Sequence, residues 1–307
     1  MTEDDFLEAL FKRMPVPPGE LVIPPGDDCA GFRSADGTIL LIAVDQVVEG
    51  RHFLDEGPFA ASPQRVGRKL LARNLSDIAA MGGAPLYCLS SVALGNRHDT
   101  AWLDRFFDGM LDLCRRWGTH LIGGDLARGA ERTVASLTIV GRAGERQVLR
   151  RSGASDGDGF WATGTFGRSF STGHHLDFAP RIEEGRWLAE QGLAKAMIDV
   201  SDGLLIDAGR LCRASSAGLL LDTGAVPRRN ADTSLEEALT DGEDYELLFA
   251  VPKEKEERLR RAWPFRQIPL TRLGEFRSAP SPGVFDLGGK PLAFEGRIGW
   301  DHFKRSD

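Results

Sequence analysis

Aspartates recur in this chain where the backbone turns or an apolar run breaks. Asp27 and Asp28 sit in the glycine-bearing turn 26–30, and Asp45 closes the apolar run TILLIAV at 38–44. Asp77 interrupts an apolar helical stretch, Asp125 follows Gly123 and Gly124, and Asp199 and Asp202 flank Ser201. Carboxylates of this kind suit magnesium, a hard cation that takes its oxygen ligands from carboxylates, waters and substrate phosphates. A polyanionic phosphate chain approaches several carboxylates only when metal ions neutralise both, and phosphoryl transfer then needs mainly alignment and charge stabilisation. Glycines beside the carboxylates let backbone come close to bound oxygens. A single aspartate at a turn is commonly a cap or an Asx turn. Asp77, inside a helix, is poorly explained that way. The pattern is common to kinases, phosphohydrolases and non-catalytic nucleotide binders, and does not separate them.

Other chemistries find little support. There is no G-x-x-x-x-G-K-[ST] run, no protein-kinase motif set and no H-E-x-x-H pattern. The turn Gly164 to Gly167 is too short for a dinucleotide fingerprint. His174 and His175 lack matching Cys or acidic spacing and read as structural or surface residues. Cys29 has no nearby His and reads as a buried thiol. The four cysteines are widely spaced, so a reduced, cytoplasmic protein is expected. The acidic start (Glu3, Asp4, Asp5) lacks the features of a signal peptide, and no window has the length of a membrane span. With 38 Lys and Arg against 45 Asp and Glu, the net charge of -7 gives no hint of nucleic-acid binding.

The elements that must position the aspartates follow from periodicity. Helices are expected at 3–13, 62–81, 99–117, 181–193, 203–214, 233–239 and 253–262. Strands are expected at 38–44, 86–94, 120–122, 133–141, 160–163, 197–200, 218–222 and 245–251. Ser62 and Pro63 mark the start of the second helix as cap and first residue. Asp45 and Asp125 are expected at strand ends. The small polar stretch 153–159 suggests a boundary, giving domains 1–150 and 151–307, each α/β or α+β.

Taken together, GDDCA (26–30), VDQVVEGRHF (44–53), ARNLSDIAAMGGAP (72–85), LIGGDLARG (121–129), LRRSGASDGD (149–158), WATGTFG (161–167), AMIDVSDGL (196–204), DGEDYELLFAV (241–251) and GWDHF (299–303) resemble the thiamine-monophosphate kinases. The segments fall in that family's order and span nearly the whole chain. The resemblance implies the two-domain fold of aminoimidazole ribonucleotide synthetase. An N-terminal mixed sheet would form a barrel across a homodimer, and a C-terminal α/β domain would pack beside it. It implies transfer of the ATP γ-phosphate to thiamine monophosphate with several magnesium ions. Carried over by motif, Asp28, Asp45, Asp77, Asp125, Asp199 and Asp202 would hold metal, with Asp45, Asp125 and Asp202 catalytic. Gly124, Asp125, Arg151 and Ser201 would meet the nucleotide, and His52, Glu243 and Trp300 the acceptor. Ala43, Val44, Gln46 and Leu126 depart from the hydroxyl residues usual in the family, and the stretch 164–181 is short, so a helix there is expected to be reduced or missing. The sister enzymes fit less well, since no reactive Cys lies near a Lys at the N-terminus and the chain ends FKRSD.

Overall fold

The structure, a computed structural model, describes residues 2–15 and 19–292. The first half runs α1 (Glu3–Phe11), β1 (Leu21–Ile23), β2 (Ala30–Arg33), β3 (Thr38–Val48), α2 (Pro63–Ala80), β4 (Ala84–Gly95), α3 (Thr100–Trp117), β5 (His120–Ala130) and β6 (Val134–Gly144). The second half holds β7 (Gly159–Thr163), α4 (His174–Asp177), α5 (Ile182–Glu190), β8 (Ala196–Asp199), α6 (Leu204–Ser215), β9 (Gly218–Leu221), α7 (Leu235–Thr240), β10 (Leu247–Val251), α8 (Glu256–Ala262), β11 (Leu270–Arg277) and β12 (Gly283–Phe285). Among the described residues the strands form two six-stranded sheets, ordered β1-β2-β3-β6-β4-β5 and β12-β9-β11-β7-β10-β8. In the first only β4 and β5 run parallel, and in the second only β12 and β9. Helices pack on both mixed sheets, so the class is α/β with α+β character.

The first sheet is covered on one face. Along β3, Ile39, Leu41 and Val47 are buried under α2, while Val44 on the alternate face is 67% exposed. Leu89 of β4 and Ile122 and Leu126 of β5 are exposed as well. The second sheet is covered on both faces. Phe160, Ala162, Leu248 and Ala250 pack under α6, while Trp161, Leu247, Phe249 and Val251 join the core shared with the first half.

Helix α2 is the hinge of the packing. Ser62 caps it, with Oγ accepting the Arg65 N–H at 3.4 Å, and Pro63 opens it. It lies against α3 so closely that a Cβ at Gly67 would collide with the Phe106 carbonyl, and one at Gly109 with that of Gln64. On its other side a Cβ at Gly185 of α5 would collide with the Ala79 carbonyl. One helix thus touches the first sheet and the elements of the second half, and its remaining face looks onto the site.

Two boundaries differ from expectation. Asp45 does not close its strand: β3 pairs with β6 without interruption from Thr38↔Gly144 to Val48↔Val134. Gly123, Gly124 and Asp125 lie within β5, which continues to Ala130 beside β4. Backbone pairing carries a strand past the end of its apolar run, because the ladder needs a neighbour and not a hydrophobic side chain. Strands β2, β11 and β12 lacked an apolar run long enough to read. The short segment 164–181 holds only the four-residue α4.

Candidate active site

Lys69, Arg73 and Asp77 are spaced four residues apart on α2, so they stack along one helix face. Across from them lie two segments of the second half. The loop after β8 carries Ser201 and Asp202, and the stretch before β10 carries Glu243 and Tyr245. These segments are tied together, since Glu243 N–H donates to the Ser201 carbonyl and Tyr245 N–H to that of Val200, both at 2.8 Å. Glu243 and Tyr245 hold left-handed backbone, with φ of +54° and +51°. Such strain in non-glycine residues persists where surrounding contacts enforce it, typically at binding sites.

Three carboxylates meet at one end. Asp28 from the turn before β2, Asp77 from α2 and Asp199 from the last position of β8 bring ligand oxygens within 4.8 Å of one another. Burial first, then the charges of Asp45, Asp199 and Asp28, pushes Asp77 well above the ordinary carboxylate range. Burial and then Asp28 do the same to Asp199, although Ser76 Oγ donates to its Oδ2 at 2.5 Å. Asp27 is pushed up to about 6, by burial and then by Asp28. The nearby cation is Arg151, which donates to Asp28 Oδ1 at 2.7 Å and whose N–H meets Asp27. Asp28 Oδ2 is buried without a hydrogen-bond partner among the described residues. A buried set of oxygens short of positive charge, with one oxygen unsatisfied, fits a hard dication.

The other end is a cavity of about 280 Å³ lined by His52, Arg73, Ser201, Asp202, Glu243 and Tyr245 among others. Lys69 is fully buried beneath it. Its Nζ donates to the His52 carbonyl and to Glu243 Oε1, both at 2.6 Å, and lies 2.9 Å from His175 Nδ1. Burial lowers Lys69 to about 8. Burial would raise Glu243, but Lys69 and then His175 outweigh it and hold that carboxylate below its usual range. His52 Nδ1 accepts the Val48 N–H at 3.1 Å, which fixes its ring beside the cavity.

The structure brings together Asp28, Asp77 and Asp199, with Arg151 against them, and in the adjoining cavity His52, Ser201, Asp202 and Glu243. Asp45 borders both groups, with its oxygens held by Arg73 at 3.1 and 3.2 Å. Asp202 is bound by Arg210 at 2.5 Å. Gly124 and Asp125 do not join them within this chain. Asp125 is exposed and pairs with Ser91, which pairs with Ser136, which pairs with Gln46. That row shares the uncovered face with Val44, whereas Asp45 points to the helix-covered face. A Cβ at Gly124 would collide with the Ser90 carbonyl, so this glycine allows β5 to close on β4. Trp300 lies outside the described residues.

Motif reading missed Lys69, Arg73, His175 and Asp207. The last accepts the N–H groups of Ser201, Asp202 and Gly203 at 3.0 to 3.2 Å on one oxygen, which shapes their loop. For Lys69 and Arg73 a signal was present. Charged residues four apart in an apolar helix, in register with Asp77, mark a polar face directed inward. His174 has a structural role, with Nε2 at 3.0 Å from the Asp244 carbonyl. Cys29 is buried, and burial together with the charge of Asp77 raises its thiol far above the ordinary range.

Comparison with known proteins agrees with this layout. Residues 26–143 match the family model of the AIR synthase related protein, N-terminal domain, and residues 148–286 that of the C-terminal domain. The thiamine-monophosphate kinase of Escherichia coli K12 is 34% identical over 305 aligned positions, covering 91% of each chain. That of Haemophilus influenzae is 30% identical and covers 100% of this chain and 99% of its own. The solved structure of AaThiL complexed with AMPPCP and TMP aligns with a TM-score of 0.83 at 27% identity, over 98% of this chain and 97% of that one.

Proposed function

The chain belongs to the thiamine-monophosphate kinases within the AIR synthase related proteins and so phosphorylates thiamine monophosphate with ATP; we propose that it does so with magnesium held by Asp28, Asp77 and Asp199. The observation that carries this is the largely buried carboxylate triad, with one oxygen unsatisfied among the described residues, beside a cavity of about 280 Å³. When bound, magnesium neutralises charge between the reacting phosphates.

The protein's own groups place the reactants. Glu243, fixed by Lys69 and His175, is suited to accept a hydrogen bond from the aminopyrimidine of the acceptor. His52 faces the same cavity, and Ser201 and Arg151 stand on the side assigned to the nucleotide. Transfer is direct and in line. The acceptor phosphate is already an anionic nucleophile and needs no general base.

The uncovered face of the first sheet is assigned to a homodimer, whose formation would bury Val44, Leu89, Ile122 and Leu126. Gly124 and Asp125 lie on that face, so the contact proposed for them with nucleotide and metal is one made at the interface between chains. Among the described residues no helix is long and apolar enough to cross a membrane. The four cysteines are buried and form no disulfide, in keeping with the reducing cytoplasm proposed for the enzyme.

Incubation of the purified chain with thiamine monophosphate, ATP and magnesium is expected to give thiamine diphosphate and ADP in equal amounts, and nothing in excess chelator. Release of free phosphate without thiamine diphosphate would make the site a phosphohydrolase.

A further inference from the structure

Arg73 stands midway along the charged face of α2, four residues from Lys69 and four from Asp77. Its side chain is almost wholly buried and grips both oxygens of Asp45, through Nε at 3.2 Å and Nη2 at 3.1 Å. Asp45 is therefore already matched by a fixed cation, and the close triad of ligand oxygens is Asp28, Asp77 and Asp199 without it. The third guanidinium nitrogen, Nη1, is buried and meets no hydrogen-bond acceptor among the described residues. A buried donor of a charged group is seldom left so, because its desolvation is uncompensated. The same residue lines the cavity with His52, Ser201, Asp202, Glu243 and Tyr245.

These observations point to one ligand chemistry. An anionic oxygen at the inner end of the cavity would supply the acceptor that Nη1 lacks. A guanidinium also matches a phosphate better than a point charge does, since its planar fork offers several donors in fixed directions. Resting on the thiamine-phosphate kinase reading, we propose that Arg73 binds the phosphate of the acceptor substrate and serves Asp45 as a built-in counter-cation in place of a metal ion. Asp45 then acts on the reaction by holding Arg73, and the phosphate-bearing acceptor is preferred over the corresponding alcohol through this arginine.

The test is calorimetric binding of thiamine monophosphate and of thiamine in excess chelator, where no metal bridges phosphate to carboxylate. It compares the full chain with Arg73→Met and with the double variant Arg73→Met/Asp45→Asn. The wild type is expected to favour the monophosphate. Both variants are expected to lose about tenfold or more in affinity for it, the scale of a charge-assisted hydrogen bond, while affinity for thiamine stays within about twofold. The single variant leaves Asp45 without its cation, so the double variant, with both charges removed, carries the test if the single one does not fold. A monophosphate preference that survives in the variants would overturn the proposal, as would an equal loss for both ligands, which is the mark of a purely structural pair. A wild type that binds neither ligand in chelator would also overturn it, since the arginine is proposed to hold the phosphate without metal, whereas failure of the kinase reading shows separately, as absent turnover with magnesium.

Discussion

The two ends of the site treat their carboxylates in opposite ways. Glu243 and Asp45 each face a buried cation carried by α2, Lys69 at 2.6 Å and Arg73 at 3.1 Å. Asp28, Asp77 and Asp199 crowd within 4.8 Å of one another, and among the described residues the cation that pairs with them is Arg151, through Asp28. At the first end the charge balance is written into the chain, so the geometry is set before any ligand arrives. At the second the balance is incomplete, and burial pushes Asp77 and Asp199 toward the protonated form. Positive charge missing from the fold is charge that a ligand must bring. One helix serves both ends, so on the proposed reading it couples the position of the acceptor to that of the metal.

The largest effect is expected from breaking the balanced end. Lys69→Met leaves Glu243 partly buried without its cation, and loss of one member of a buried pair costs about 3–5 kcal/mol. Denaturant unfolding should show that loss. Adding Glu243→Gln should restore much of the stability but not acceptor binding, and a single variant as stable as the wild type would refute the pairing.

The unbalanced end should respond the other way. Asp199→Asn is expected to lower kcat about a hundredfold to a thousandfold, the usual cost of one well-placed electrostatic group. In chelator its melting temperature should hold or rise, because one of three crowded carboxylates has lost its charge. Near-normal kcat would remove Asp199 from the metal site.

The smallest effect concerns pH. Asp77, Asp199 and Asp27 all have folded values above the ordinary 3.8, Asp27 at about 6. A carboxylate whose value rises on folding gives stability that is fully present below the unfolded value and lost as pH climbs through the folded one. Metal-free protein should therefore melt progressively lower from about pH 4 through about pH 6, the folded value of Asp27, with Asp77 and Asp199 extending the decline upward, and saturating magnesium should flatten or reverse that slope. A melting temperature in chelator that rises over this range would contradict the charge deficit.

Much of the acidic end was legible in the residues. Asp77 stood out because a carboxylate inside an apolar helix is poorly explained as a cap, while Asp28 and Asp199, each alone an ordinary turn residue, stood out as members of a recurring set. The balanced end was half legible. His52 and Glu243 were reached through resemblance, while Lys69 and Arg73 passed as ordinary helix residues because each alone suits a solvated face. Their spacing from Asp77 was the available signal, and packing of α2 against both sheets and its neighbouring helices turns that spacing into an inward-facing row.

By itself the sequence determined the helices with clear caps, the order of the longer strands and helices in both halves, and the identity of the acidic clusters, because these depend on neighbours along the chain. Tertiary structure alone decided which aspartates meet. Asp45 and Asp125 each follow an apolar stretch and look alike as text. Pairing of β3 with β6 and of β4 with β5 sends Asp45 to the helix-covered face and Asp125 to the uncovered one. Side chains alternate faces at every residue, so a shift of one position in register would exchange them. That parity is set by which strands lie side by side, a matter of long-range contacts that no local spacing records.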